Sequence, residues 1–87
     1  MAGEIEEKVR AMIVERLMLK VQPAEILDDD DLMKKWDADS VKIMEIVIGL
    51  EELFGINVAD EDFGKGNFLS VTKIAAFVRR KQSEQGV

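Results

Sequence analysis

Ser40-Val41-Lys42-Ile43-Met44-Glu45-Ile46-Val47-Ile48-Gly49-Leu50-Glu51-Glu52-Leu53-Phe54, followed by Gly55, is the stretch whose reading decides the fold. At about 100° per residue its apolar side chains separate into two stripes. Ile43, Ile46, Val47, Leu50 and Phe54 share one side, the expected core face. Val41, Met44 and Ile48 fall on the opposite side, alongside Glu45 and Glu52. The pattern predicts a helix over about 40–54, with Gly55 as its stop. A chain of 87 residues has no need of a second apolar stripe for its own core. A strip rimmed by carboxylates suits docking to a partner with a basic, partly apolar surface. The competing reading is a helix running through the middle of a bundle and buried on both sides. The carboxylates weigh against that, because burying them unpaired costs on the order of several kcal/mol.

Outward from this helix, Ile5, Val9, Met12, Ile13 and Leu17 recur at helical spacing, with acids in the first turn. They predict a first helix over about 3–19. Residues 20–39 show no sustained period and contain the single proline, Pro23, and the run Asp28-Asp29-Asp30-Asp31. A loop this long needs its own anchors, which Ile26, Leu27, Leu32 and Trp36 are placed to supply. A short third helix is expected over about 60–65, interrupted by Gly64 and Gly66. Ser70 is an N-cap candidate for a last helix over about 71–82, with Val71, Ile74, Ala75 and Val78 inward and Phe77 beside them. Arg79, Arg80 and Lys81 complement its C-terminal dipole, and residues 83–87 read as a frayed tail. The fold class is all-α: a single domain over 1–87, a four-helix bundle with one long first loop and a short third helix.

Composition removes whole classes of function. The chain has no cysteine and no histidine, which excludes thiolate nucleophiles, disulfides, histidine acid–base catalysis and most zinc or copper ligands. A domain this small buries only about 60–65% of its unfolded surface, leaving little room for an internal active site. No stretch reaches the length of a membrane span. The charged N-terminal residues lack the unbroken apolar core of a signal peptide, so a cytoplasmic protein is expected. The net charge of −6 is uneven: residues 25–62 hold 13 acids and 3 bases. That acidic middle disfavours nucleic acid or an anionic membrane and favours basic protein partners, although an acidic face kept for solubility reads the same way.

Ser40 stands at the start of the second helix. Taken alone it reads as a cap, and Asp39 serves that role equally well. Neither completes a capping box, since Lys42 or Ile43 would occupy the third helical position. A serine nucleophile needs a base, and there is no histidine and no Gly-x-Ser-x-Gly turn. The acid clusters fail as calcium loops: counted from Asp28 the fifth and twelfth positions are Leu32 and Asp39, and from Asp60 they are Gly64 and Val71. Weak divalent binding at the acid run stays open. No P-loop, zinc framework or dinucleotide fingerprint is present.

Three stretches carry a family resemblance. They are Pro23-Ala24-Glu25-Ile26 with Asp31-Leu32-Met33-Lys34-Lys35-Trp36-Asp37-Ala38-Asp39-Ser40-Val41, then Glu45 through Ile56 with its Leu50-Glu51-Glu52-Leu53-Phe54-Gly55-Ile56 ending, then Ala59-Asp60-Glu61-Asp62-Phe63 with Val71-Thr72-Lys73-Ile74-Ala75. Together, over about residues 5–80, they resemble the acyl carrier protein family. The resemblance implies a bundle of acyl-carrier type and a 4′-phosphopantetheine arm, donated from coenzyme A, on Ser40. It implies that Asp39, Glu45, Glu51 and Glu52 meet basic patches on partner enzymes, with Val41 and Ile48 giving apolar contact; Met44 joins them on the stripe. The implied partners are a phosphopantetheinyl transferase and basic-surfaced acyl-transferring or synthase enzymes, served by a monomeric carrier that is not itself an enzyme. Because the reactive sulfur belongs to the arm, a cysteine-free chain is suited to the task.

Several positions depart from the family pattern. Val41 replaces the usual leucine, Lys42 stands where an acid is common, and Trp36-Asp37 stands for Leu-Gly. Aspartate tolerates left-handed backbone better than most residues, so the turn is expected to survive. The segment 63–68 is longer than in fatty-acid synthase carriers, and 64–68 is expected to be a mobile gate over a cargo cavity. These departures point to a specialised rather than a housekeeping carrier. Two alternatives stand beside an acyl carrier: an aminoacyl carrier of D-alanyl type, and an unmodified helical interaction module.

Overall fold

The structure, a computed structural model, describes residues 3–86. Four α-helices, α1 (Glu4–Arg16), α2 (Leu32–Lys35), α3 (Ser40–Phe54) and α4 (Val71–Gln85), are joined through 3-10 turns at Pro23–Glu25 and Asp60–Gly64. No strand occurs among the described residues. The expected second helix is therefore α3, and the expected short third helix is the second 3-10 turn. Helix α1 packs against both α3 and α4, and α3 also meets α4. Val9 and Ile13 from α1, Ile46 and Leu50 from α3, and Phe77 and Val78 from α4 are fully enclosed between them. Each such side chain contributes roughly 1.5–3 kcal/mol by leaving water.

Helix α1 ends at Arg16, earlier than the expected 19. Met18 turns to a φ of 55°, and Leu19 N–H then donates to the Val14 carbonyl at 3.0 Å while Met18 N–H reaches that of Glu15 at 3.3 Å. This paired closure of the last turn reverses the chain and lets both Leu17 and Leu19 pack on the core.

The loop over 20–39, expected to be irregular, contains a 3-10 turn and the single-turn helix α2. Its acid run supplies the local bonds. Asp31 caps α2, accepting from Met33 and Lys34 N–H at 3.0 Å each. Asp30 accepts Leu27 N–H at 2.9 Å and the Trp36 indole N–H at 3.1 Å, and Asp28 pairs with Arg10. Ile26 and Leu32 are core residues and Trp36 packs against them, as expected of anchors. Leu27 is exposed, so its side chain is no anchor. Two backbone bonds strap the loop to the start of α4: Leu32 N–H to the Leu69 carbonyl and Thr72 N–H to the Asp28 carbonyl, both 2.9 Å.

Helix α4 continues to Gln85, past the expected end at 82, so residues 83–85 are helical rather than frayed. The cause is a reciprocal pair of bonds to the chain after α3. Asn57 N–H donates to Gln85 Oε1 at 2.9 Å, and Gln85 Nε2 donates to the Asn57 carbonyl at 3.0 Å. Val87, also assigned to the tail, lies outside the described residues. The segment expected to be a mobile gate is anchored at its far end. Asn67 and Phe68 are buried, Phe68 meets Phe77 edge-on at 5.2 Å, and Asn67 Nδ2 donates to the Asp62 carbonyl at 2.9 Å.

Asp62 fastens the same segment to α4 through an ion pair with Lys81 at 2.9 Å. Burial pushes its carboxyl up, but hydrogen bonds from Lys81 and from Ala59 N–H, with the Lys81 charge, outweigh it and hold the pKa below its ordinary value. A carboxyl depressed in the folded state stabilises fully above its unfolded pKa and loses that contribution as pH falls through the folded one. Glu6, held down chiefly by the Arg79 guanidinium, acts in the same direction. Urea midpoints should therefore fall as pH drops below about 4. Asp62→Asn should lower the midpoint at neutral pH and flatten that acid decline.

Candidate functional site

Four consecutive residues build the start of α3. Asp37 adopts a φ of 57°, the left-handed turn expected of it. Ala38 is buried and fixes the turn to the core, with its N–H on the Leu32 carbonyl at 3.0 Å. Asp39 is extended and its carboxylate accepts Lys42 N–H at 3.0 Å. The cap is thus Asp39, which leaves Ser40 as the first helical residue, exposed and relieved of capping duty. The Lys42 ammonium folds back to donate to the Asp37 carbonyl at 3.2 Å. That unusual base therefore ties down the turn instead of reaching outward.

A cavity of about 330 Å³ adjoins Ser40, within the range of small-molecule sites. Met33 of α2, Ile43 and Met44 of α3, and Phe63, Phe68 and Leu69 line it. Ser40 is the one hydroxyl among these apolar walls. Ile43, expected to be a core residue, is only half-buried because it faces this space, and Phe54 is likewise half-buried. A larger groove of about 450 Å³ runs between α1 and α3, but its lining includes Lys8, Glu15, Arg16 and Glu52 and it does not include Ser40. The smaller, apolar cavity is the one that borders Ser40. An exposed hydroxyl at a helix start, beside an apolar recess, fits a covalently held arm with an apolar cargo.

The chain matches the family model described as "Phosphopantetheine attachment site" over residues 7–78. It is 36% identical over 80 residues to an acyl carrier protein of Akkermansia muciniphila, covering 92% of this chain and 95% of that one. It is 32% identical over 75 residues to an acyl carrier protein of Campylobacter hominis, covering 86% and 90%. A third relative, the acyl carrier protein of Thermosynechococcus vestitus, is 31% identical over 79 residues, 91% of this chain and 93% of its own length. The chain belongs to the acyl carrier protein family. It is a carrier rather than an enzyme, and its cofactor is covalently attached 4′-phosphopantetheine. No helix among the described residues is long and apolar enough to cross a membrane.

On the carrier's outer face, Val41, Met44 and Ile48 are exposed, Val41 by 71%. The second stripe of α3 is thus on the surface and not inside the bundle. The acids beside it all have internal roles. Asp39 caps α3, and the half-buried Glu51 accepts Val58 N–H at 3.0 Å, holding the chain that leaves the helix. Glu45 and Glu52 both pair with Arg16 of α1, Glu45 at 3.4 Å. Sequence reasoning missed Arg16 because it lies far from both acids along the chain. It also missed Met33, Phe63, Phe68 and Leu69 as cavity walls, since none belongs to a periodic run. The acid run does not gather into a cation site: among the described residues no three acidic side chains converge on one.

The left-handed turn yields a direct test. Asp37→Gly should leave stability unchanged or raise it by up to about 1 kcal/mol, and Asp37→Val should cost about 1–2 kcal/mol. Urea unfolding followed by circular dichroism measures both.

Proposed function

We propose that Ser40 carries the phosphopantetheine arm and that the apolar cavity beside it receives the acyl chain borne on that arm. The observation that supports this reading is an exposed serine hydroxyl, released from capping by Asp39, at the edge of a cavity walled by Ile43, Met44, Phe63 and Phe68. The first turn of α3 adds its positive dipole end and the amides of Ser40 and Val41, which suit a phosphodiester. When attached, the arm supplies the thiol that a cysteine-free chain lacks.

The cavity's chemistry favours an acyl over an aminoacyl cargo. An ammonium group drawn into walls of Met, Ile, Phe and Leu would lose its hydration without a partner. An alkyl chain gains about 0.8 kcal/mol per buried methylene. The carrier delivers such chains between enzymes of fatty-acid, polyketide or related lipid biosynthesis in the cytoplasm. Its docking face is Val41, Met44 and Ile48, flanked by Asp39, Glu45, Glu51 and Glu52. Trp36-Asp37, Lys42 and the 63–68 segment support a specialised member with its own partner set. Trp36 anchors the loop through Asp30, and the long segment supplies two of the cavity's aromatic walls.

Incubation with coenzyme A and a phosphopantetheinyl transferase should add one arm to the intact protein, seen by mass. Ser40→Ala should abolish the gain with helical content unchanged. A wild-type mass that stays constant with several transferases would overturn the assignment. An unmodified interaction module would instead keep its partner binding in Ser40→Ala.

A further inference from the structure

Glu45, Gly49 and Glu52 lie on the flank of α3 that faces α1, four and three residues apart, and so form one short row on the helix surface. Arg16, the last residue of α1, lies across that row. Its guanidinium reaches Glu45 at 3.4 Å and pairs with Glu52, seven residues further along the helix. Gly49 makes the crossing possible. A methyl group there would sit 2.6 Å from Met12 Sδ and 3.1 Å from Arg16 Nε. The bare backbone at Gly49 leaves room for the Met12 side chain and for Arg16 Nε, and the carboxylates of Glu45 and Glu52 hold the guanidinium.

We propose that Arg16 is a specificity-determining residue: an internal counter-ion that masks two carboxylates of the docking face against basic partners. The inference rests on the reading that partners approach Ser40 over α3. The pairs need not be strong to act this way. A cation fixed beside both acids reduces the local charge of this row from −2 to −1. A basic surface must either displace the arginine or accept a weaker field. Asp39 and Glu51, bound to Lys42 and Val58 N–H, are also engaged internally. What the face offers without competition is the apolar stripe of Val41, Met44 and Ile48. The carrier is thereby tuned to partners that dock chiefly by apolar contact and away from those that depend on dense basic charge.

The test uses the full chain, coenzyme A and a phosphopantetheinyl transferase with a basic docking surface. Arg16→Met keeps an unbranched apolar stem and removes the charge; Arg16→Gln is a second variant in case the methionine perturbs packing. Either should raise kcat/KM for arm transfer by roughly threefold to tenfold at low ionic strength. The gain should vanish at about 0.5 M salt, where exposed charges are screened. Adding Glu45→Gln and Glu52→Gln to Arg16→Met should bring the rate below wild type. Wild-type-like rates in both folded Arg16 variants at low salt would overturn the proposal. So would a gain that survives high salt or survives loss of both carboxylates. Failure of every protein, wild type included, to take up the arm would count against the Ser40 assignment instead, so the two failures are distinct.

Discussion

The strap between the first loop and the start of α4 sets the geometry of everything near Ser40. Two backbone bonds, Leu32 to Leu69 and Thr72 to Asp28, join segments that are far apart in sequence. They place α2 beneath the loop that leads into α3, with Leu32 sunk in the core. Once Leu32 is fixed, its carbonyl receives Ala38 N–H, and the left-handed Asp37 turns the chain into the cap at Asp39. Ser40 follows as the first residue of the helix. The same strap brings Leu69 and the aromatic pair Phe63–Phe68 opposite Met33, Ile43 and Met44, which encloses the cavity. Position of Ser40 and position of the recess are thus one structural consequence.

Charge is used twice in this small molecule. The acid run reads as a reservoir of negative charge, yet Asp28, Asp30 and Asp31 are each committed to a donor: Arg10, the Leu27 amide with Trp36, and the first turn of α2. Hydrogen bonds from the Leu27 amide first, and then from Trp36 and Lys35, outweigh the effect of burial on Asp30 and lower its pKa. A similar commitment holds on α3, where Asp39 and Glu51 serve the backbone and Glu45 and Glu52 serve Arg16. Local net charge therefore overstates what a partner meets. The exposed apolar side chains Val41, Met44 and Ile48 carry no such internal commitment to a charged partner.

Much of the architecture was legible from residue pattern. The two stripes of α3, its limits at Ser40 and Gly55, the inward positions of α4 and the tolerance of Asp37 for a left-handed turn all follow from short-range rules. So does the cap, which the residues narrowed to Asp39 or Ser40. The misreadings share a cause. Helix α4 was expected to end early because Gln85 has no local reason to be ordered; its partner Asn57 is distant. The hydrophobicity of Leu27 suggests an anchor, while the structure uses its backbone and leaves the side chain outside. The apolar period carries α1 past Arg16 because nothing in it signals the reversal at Met18.

By itself, then, the amino-acid sequence determined that this is an all-helical carrier, with Ser40 at a helix start between an acidic loop and a two-faced helix. Those features depend on periodicity, capping chemistry and a family pattern, all encoded within a few turns of chain. Only the tertiary structure decided what surrounds that serine: which acid caps, which residues wall the cavity, and which carboxylates are already paired. Such facts depend on contacts between residues remote in sequence, as with Arg16 and Glu52 or Leu32 and Leu69. Side chains that meet across a fold leave no periodic trace in the sequence, because their spacing is set by packing and not by the helix repeat.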